Sequence, residues 1–211
     1  MIARPIRALA GLVVVGALAV GCTAPGATGA PATPPPSVGA AGECPTAQPA
    51  PLAAGETRTV TITTDLGTMD LKIEADLSPI AAGNFVALAE CGFYDGVVFH
   101  RVVPQFVIQG GDPTGTGGGG PGYTIQDEPV TTPYSRGTVA MARTPEPDSV
   151  GSQFFIVLDD SARPALASAN TYQIIGSVAS GMETADAIAA AADAELPSDP
   201  VVMTDVSVKT P

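Results

Sequence analysis

Short runs of β-branched and aromatic residues, separated by Gly- and Pro-rich turns, recur from the second quarter of this chain to its end. Runs of this kind are typical of β-strands. Only two helical segments interrupt them, and strands and helices do not alternate regularly. This pattern indicates a mainly β fold built on an antiparallel sheet, and strands at this spacing commonly close into a barrel. After an initial hairpin, the predicted strands cover residues 97–103, 106–109, 138–142, 154–158, 172–178 and 201–208.

The hairpin is predicted from the alternation of apolar and polar residues. Val60 and Ile62 alternate with threonines, whereas Met69, Leu71 and Ile73 alternate with polar and charged residues. Such alternation places one face of a strand in the core and the other in water. A turn containing aspartate and glycine separates the two halves.

Two helices are predicted. Ser78 is a candidate N-cap, Pro79 suits the first helical position, and Gly92 ends a run of apolar residues at helical spacing. The second helix is predicted at residues 183–194.

The N-terminus resembles an export signal. Arg4 and Arg7 precede an apolar stretch at residues 8–20, which is too short to span a bilayer as a helix. We therefore predict a signal peptide at residues 1–21. Residues 18–22 (LAVGC) resemble the lipobox of bacterial lipoproteins, which predicts lipidation at Cys22. The alternative is an ordinary signal peptide with an incidental cysteine. We expect an exported protein that is lipid-anchored at the outer face of a bacterial cell membrane.

A spacer and one domain are predicted to follow. Residues 22–55 consist mainly of Ala, Pro, Gly and Thr and are predicted to form a flexible tether, and residues 56–211 form the domain. Cys44 in the tether and Cys91 near the end of the first helix could pair in an exported protein, or remain two free thiols. A monomer is expected.

Several functional classes are excluded by composition. The formal net charge is −12 and only nine lysines and arginines are present, which argues against binding nucleic acid. A metal site is not expected, because His100 is the single histidine and the cysteines lack paired spacing. His100 is expected to be a structural, hydrogen-bonded residue rather than the base of a serine hydrolase. Residues 115–120 are glycine-rich but lack the lysine of a phosphate-binding loop.

Two ordered motifs carry a family resemblance. Residues 99–112 (FHRVVPQFVIQGGD) closely resemble the signature of cyclophilins, which are peptidyl-prolyl cis/trans isomerases. Residues 137–143 (GTVAMAR) and 151–156 (GSQFFI) follow in the family's order. The similarity extends from about residue 57 to the C-terminus. It implies a closed eight-stranded antiparallel β-barrel capped by two α-helices.

The resemblance also implies the roles of individual residues. The family's catalytic arginine falls on Arg101, and Gln109 would hold its guanidinium in place. No cofactor is expected, because the reaction makes and breaks no covalent bond. The region 163–170 departs from the family and this chain has no tryptophan, so Leu166 is the candidate for the pocket rim. The predicted substrate-binding residues are Phe106, Val107, Ala142, Arg143, Gln153, Phe155, Leu166 and Tyr172.

The sequence therefore leaves two main hypotheses for the function. The first is an isomerase that acts on proline-containing peptides and on unfolded exported proteins. The alternative is a lipid-anchored chaperone or scaffold that binds Pro-containing segments without significant turnover. A ligand-binding surface lipoprotein is a third, less favoured hypothesis.

Overall fold

Eight strands form one antiparallel sheet in the computed structural model, which describes residues 43–209. The order across the sheet is β3-β4-β6-β5-β7-β2-β1-β8. The strands are β1 (Thr57–Thr64), β2 (Gly67–Glu74), β3 (Arg101–Val103), β4 (Val107–Gly110), β5 (Thr138–Met141), β6 (Phe154–Val157), β7 (Ile174–Ser180) and β8 (Asp205–Lys209).

The predicted hairpin is present as β1 and β2. Val60 pairs with Leu71 and Ile62 pairs with Met69, so all four apolar side chains point to the same buried face. Cross-strand pairs of this kind stabilise a sheet because their side chains pack directly on one another. Gly67 follows the turn with a φ of +136°, a conformation that L-residues rarely adopt.

The predicted closed barrel is not what the strand pairing shows. The sheet is curled, and β3 and β8 are its two edges, with no ladder between them. The edges meet only through the segments that precede them. The amide of Phe99 donates to the carbonyl oxygen of Val201 at 2.9 Å, and the amide of Met203 donates to that of Val97 at 2.8 Å. Within β3 itself, the amide of Val102 donates to the carbonyl oxygen of Glu195, in the loop before β8, and not to a residue of β8.

Within residues 43–209, three α-helices are present rather than the two predicted: α1 (Pro79–Glu90), α2 (Arg163–Ala169) and α3 (Met182–Ala191). Helix α3 ends three residues before its predicted end. Helix α2 was not predicted because its seven residues show no clear apolar period. None of the helices within residues 43–209 is both long and apolar enough to cross a membrane.

Helix α1 begins at Pro79 as predicted, but Ser78 does not cap it with its side chain. The carboxylate of Glu128 accepts hydrogen bonds from the amides of Ile80 and Ala81, both at 2.9 Å. A carboxylate at this end of a helix satisfies free amides and interacts favourably with the helix dipole. A residue about 50 positions away along the chain therefore replaces the expected local cap.

The segment 43–55 differs from the flexible tether that was predicted for it. A disulfide joins Cys44 to Cys91, with the Cα atoms 5.2 Å apart. The side chain of Leu52 packs on the main core, and its amide donates to the carbonyl oxygen of Pro79 at 3.1 Å. Composition alone suggested a tether because few side chains here are large, and that pattern does not reveal backbone contacts or a covalent link.

Helix α1 carries a glycine where this segment crosses it. A Cβ atom at Gly83 would lie 2.5 Å from the carbonyl oxygen of Ala50. Only a residue without a side chain lets the segment lie so close to the helix. The predicted signal peptide, the lipidation site at Cys22 and the tether up to residue 42 lie outside the described residues.

Candidate functional site

A cavity of about 120 Å³ opens beside strands β3, β4 and β6 and helix α2. Each residue that lines it is among those predicted for the site. The remaining predicted residue, Gln153, contacts the cavity through Gln109. The lining residues are Arg101, Phe106, Val107, Gln109, Ala142, Arg143, Phe155, Leu166 and Tyr172.

The floor of the cavity belongs to a small apolar cluster separate from the main core. Val107 and Phe155 are each at least 95% buried. The rings of Phe155 and Tyr172 meet edge to face, with their centroids 5.4 Å apart. Such a floor presents apolar surface of fixed shape, which suits a compact ring such as that of proline.

Arg101 and Gln109 are brought together by strand register. They are direct partners in the β3–β4 ladder, so their side chains lie on the same face of the sheet. Nη1 of Arg101 lies 3.5 Å from Oε1 of Gln109, a long hydrogen bond. The Arg101 side chain is 33% exposed, so its guanidinium can reach a ligand in the cavity. A partly buried cation thus stands beside an apolar floor.

Gln153 links Gln109 to the glycine-rich loop. Nε2 of Gln109 donates to Oε1 of Gln153 at 2.9 Å. In turn, Nε2 of Gln153 donates to the carbonyl oxygens of Gly117 and Gly119, both at 2.9 Å. We call this series of hydrogen bonds, from Gln109 through Gln153 to the loop, the relay. It orients both side-chain amides, because the NH₂ group of each donates and the carbonyl oxygen of each accepts.

Asp112 holds the glycine-rich loop in shape. Its carboxylate accepts from the amide of Thr114 at 2.7 Å and from the amide of Gly117 at 2.6 Å. Burial alone would raise the pKa of Asp112, but hydrogen bonds from Gly119, Thr114 and Gly117 outweigh it and lower the pKa to about 2. The amides of Thr114, Thr116 and Gly117 are therefore committed to this carboxylate.

A larger cavity of about 540 Å³ adjoins the first. The glycine-rich loop forms one wall of it, and Gln109, Ala142 and Arg143 line both cavities. The two cavities therefore share one wall and form one continuous groove.

The side chain of Arg143 is not free to bind a ligand. It is only 9% exposed, and its Nη1 lies 2.7 Å from Oδ1 of Asp127. Its Nη2 also donates to the carbonyl oxygen of Glu146 at 2.7 Å. The guanidinium is therefore committed to contacts within the protein, and the predicted contact of Arg143 with substrate backbone stays a prediction.

Tyr134 is a supporting residue that sequence reasoning missed. Its hydroxyl donates to the carbonyl oxygen of Tyr172 at 3.0 Å and accepts from the amide of Tyr172 at 3.2 Å. Burial raises the pKa of Tyr134 to about 12, so it remains a neutral donor. The carbonyl oxygen of Tyr134 also accepts from Nε of Arg163 at 2.9 Å, which fixes the start of α2. No local motif marks this tyrosine.

Helix α2 supplies the rim of the cavity. The prediction that Leu166 would occupy this position is consistent with its place in the lining. Asn170 ends the helix in the left-handed region with a φ of +46°. The rim is therefore a short helix that presents leucine, in a region where the sequence suggested the leucine but not the helix.

His100 is buried as expected, but it is not hydrogen-bonded as expected. Neither ring nitrogen has a hydrogen-bond partner within residues 43–209. Burial lowers the pKa of His100, although nearby Asp112 opposes the effect. The lowered pKa favours the neutral form of the ring, which packs beneath the glycine-rich loop, near Gly117.

Among the described residues, no three His, Cys, Asp or Glu side chains lie close enough together to hold a metal ion.

Comparison with known proteins gives one consistent result. The family model for cyclophilin type peptidyl-prolyl cis-trans isomerase/CLD matches residues 59–208. Peptidyl-prolyl cis-trans isomerase B of Bacillus subtilis is 49% identical over 120 residues, covering 54% of this chain and 80% of that protein. A Streptococcus pyogenes protein, named as a bifunctional phosphatase/peptidyl-prolyl cis-trans isomerase, is 49% identical over 102 residues. That match covers 46% of this chain but only 22% of the relative's length.

A solved structure agrees with these sequence matches. The cyclophilin type peptidyl-prolyl cis-trans isomerase of Cryptosporidium parvum superposes with a TM-score of 0.66 at 31% identity, covering 74% of this chain and 99% of its own. That protein has also been crystallised in the presence of the dipeptide Ala-Pro, and this second structure gives a TM-score of 0.64.

Proposed function

This chain belongs to the family of cyclophilin-type peptidyl-prolyl cis-trans isomerases, and on that premise we propose that it isomerises Xaa-Pro bonds of exported proteins as they fold. One observation carries the proposal: Arg101, a partly exposed cation, lines the same cavity as a buried apolar floor. The chemistry of the reaction requires these two features together.

Rotation about an Xaa-Pro bond is slow because it breaks amide resonance, with a barrier of about 18–20 kcal/mol. No covalent bond forms or breaks, so neither a nucleophile nor a cofactor is needed. In the twisted transition state the proline nitrogen regains its lone pair. A guanidinium N–H of Arg101 can donate to that lone pair, an interaction that neither planar ground state offers.

The rest of the site positions the reacting groups. The proline ring would sit on Phe106, Phe155 and Leu166, so that rotation is confined to the acyl side of the bond. Gln109 and Gln153 would keep the guanidinium aligned through their relay to the loop. An acceleration of about 10⁵-fold corresponds to about 7 kcal/mol, a magnitude that a desolvated, charged hydrogen bond and positioning can supply together.

We place this activity on the outer face of a bacterial membrane, anchored through an acylated Cys22. The proposal rests on the signal-like segment 1–21 and on the lipobox resemblance. The pairing of Cys44 with Cys91 supports export, because disulfides persist in oxidising compartments. Clients would be unfolded exported proteins that carry proline. Mass spectrometry of the membrane fraction tests acylation, which Cys22→Ser should abolish together with membrane retention.

Arg101→Ala is the direct test of the catalytic proposal. Purified protein should accelerate cis/trans exchange of an Ala-Pro peptide, and the variant should lose about 99% or more of kcat/KM, since a transition-state hydrogen bond to a charged group is lost. Circular dichroism should show the same fold. Arg58→Ala, which removes a cation from β1 outside the cavity, is the matched control and should leave the activity unchanged.

The same variants separate catalysis from simple binding. A chaperone or scaffold that only captures proline-containing segments would need the apolar floor and not the cation. In that case Arg101→Ala would retain the cellular function and Phe106→Ala would remove it. Absence of exchange catalysis by the wild-type protein would contradict the isomerase proposal.

A further inference from the structure

The closest partner of Arg101 is a residue that the sequence does not single out. Oε1 of Glu195 lies 2.8 Å from Nε of Arg101, whereas Oε1 of Gln109 is 3.5 Å from Nη1. Glu195 is 94 residues away along the chain, in the loop between α3 and β8. The guanidinium is therefore held more closely from the loop than from the neighbouring strand.

The backbone of Glu195 is itself anchored to the sheet. Val102 lies on the edge strand β3, and its amide donates to the carbonyl oxygen of Glu195 at 2.8 Å. An edge strand has amides without partners in the sheet, and here one of them fixes the loop. The residue that precedes Val102 is Arg101, so the anchor places the Glu195 carboxylate beside the guanidinium.

The loop on either side of Glu195 is also fixed. The carboxylate of Asp193 accepts from the amide and the hydroxyl of Ser198 at 3.0 and 2.6 Å, which closes the loop on itself. Beyond it, the amide of Phe99 donates to the carbonyl oxygen of Val201. Only the side-chain torsions of Glu195 remain to be ordered when it binds Arg101.

These contacts matter for Arg101 because arginine has a long, flexible side chain. The Glu195 side chain is 60% exposed, and an exposed ion pair contributes little to folding stability. Catalysis has a different requirement, because a donor must already be aligned when the transition state forms. With Glu195 on Nε and Gln109 on Nη1, two fixed acceptors define the plane of the guanidinium. No residue in the described part of the chain accepts from Nη2, which remains free to donate to substrate.

We propose that Glu195 is a positioning residue that orients the Arg101 guanidinium for catalysis. The inference rests on the proposed isomerase activity. It makes the loop 192–204 a part of the site, although that loop contributes no residue to the lining of the 120 Å³ cavity.

Four variants test the proposal in the isomerisation of an Ala-Pro peptide. Glu195→Ala should lower kcat by about three- to tenfold with little change in KM, because alignment and not binding is lost. Glu195→Gln should recover most of the activity, since its amide oxygen accepts the same hydrogen bond. Asp199→Asn removes a charge from the same loop without touching Arg101 and should match the wild type. In the Arg101→Ala background, Glu195→Ala should cost nothing further.

A second readout does not depend on activity. In the NMR spectrum, the Nε–Hε signal of Arg101 should be protected from solvent exchange in the wild type and in Glu195→Gln, and lose that protection in Glu195→Ala. Equal or higher kcat in Glu195→Ala, or an added loss in the Arg101→Ala background, would overturn the positioning role. If the wild type failed to isomerise the peptide, the proposed function would fail instead, and the NMR signal alone would decide whether Glu195 holds Arg101.

Discussion

At the scale of single residues, the site is a chain of groups that each fix the next. Asp112 shapes the glycine-rich loop, the loop carbonyls orient Gln153, and Gln153 orients Gln109 beside Arg101. Polar groups with every partner assigned are rigid, because any rotation leaves a donor or an acceptor without a partner. Mutations at Asp112 should therefore affect the site even though its carboxylate does not line the 120 Å³ cavity.

Asp112 gives a prediction about acid stability. The lowered pKa means that the folded protein holds the ionised carboxylate more tightly than the unfolded chain does. The resulting contribution, about 2 kcal/mol, is fully present above pH about 4 and is lost as the pH falls from about 4 to about 2. The free energy of unfolding of wild type minus that of Asp112→Asn should shrink over this range.

Denaturant unfolding at a series of pH values measures this difference. Asp65→Asn is the control, because the Asp65 carboxylate makes no hydrogen bond among residues 43–209 and its removal should give a smaller, flatter difference. A difference for Asp112→Asn that stayed constant from pH 6 to pH 2 would contradict the prediction.

Residues that face the substrate cavity were easier to predict from the sequence than residues that hold those side chains in place. Arg101, Phe106 and Phe155 lie within recognisable motifs, and the structure brings them to one cavity. Tyr134 and Glu195 lie in no motif, and each acts through a contact that only the folded chain creates. Spacing along a strand predicts which side chains share a face, but it does not predict which distant loop will lie beside them.

At the scale of secondary-structure elements, helix α1 is held by parts of the chain remote from it. Its first turn is capped by Glu128, and its middle is crossed by the segment 43–55 at Gly83. The start of this helix was predictable because Pro79 is a local signal. Its cap was not, because Glu128 reaches the helix only through tertiary structure.

Gly83→Ala tests the packing of the segment on the helix. In an open helix the change would stabilise the protein by up to about 1 kcal/mol, because alanine favours helix. Here the added methyl group would collide with the backbone at Ala50, so we expect a loss of about 1–3 kcal/mol instead. Urea unfolding measures the change in the free energy of unfolding. A decrease supports the close packing of the segment on the helix, and an increase contradicts it. Gly120→Ala, where the methyl group meets nothing within 4 Å, should be close to neutral.

The strands show where local patterns suffice and where they do not. The hairpin β1–β2 follows directly from its alternation of side chains, and each later predicted strand lies at or near an observed one. Closure of the barrel is not confirmed by the strand pairing, and it was not predictable from local patterns. It depends on the register of β3 and β8, and no local pattern specifies the pairing of two strands about 100 residues apart. Helix α2 was missed for a similar reason, since a seven-residue helix carries too little periodic signal.

At the scale of the whole molecule, the disulfide between Cys44 and Cys91 is the main covalent constraint. It encloses β1, β2 and all of α1 in one loop, with a sequence separation of 47 residues. Closing a loop of this size lowers the entropy of the unfolded chain and is expected to stabilise the fold by about 2–4 kcal/mol.

Replacing both cysteines by serine should therefore lower the free energy of unfolding by that amount. Isomerase activity should be unaffected at temperatures where the variant is folded, because neither cysteine lines the cavities described above. Wild-type protein treated with dithiothreitol should behave as the double variant does, and the double variant should not respond to the reductant. Equal unfolding midpoints for oxidised and reduced wild type would show that the link adds no stability.

The position of this link also determines how the domain would carry a mechanical load. A pulling force applied to the chain before Cys44 passes through the disulfide directly into the end of helix α1. The 46 residues between the two cysteines, which include the first hairpin, then experience no tension. A domain suspended by its N-terminus would otherwise be peeled open strand by strand, beginning at β1. With the disulfide in place, unfolding under this force would have to begin after Cys91, in the part of the chain that contains β3 and β4.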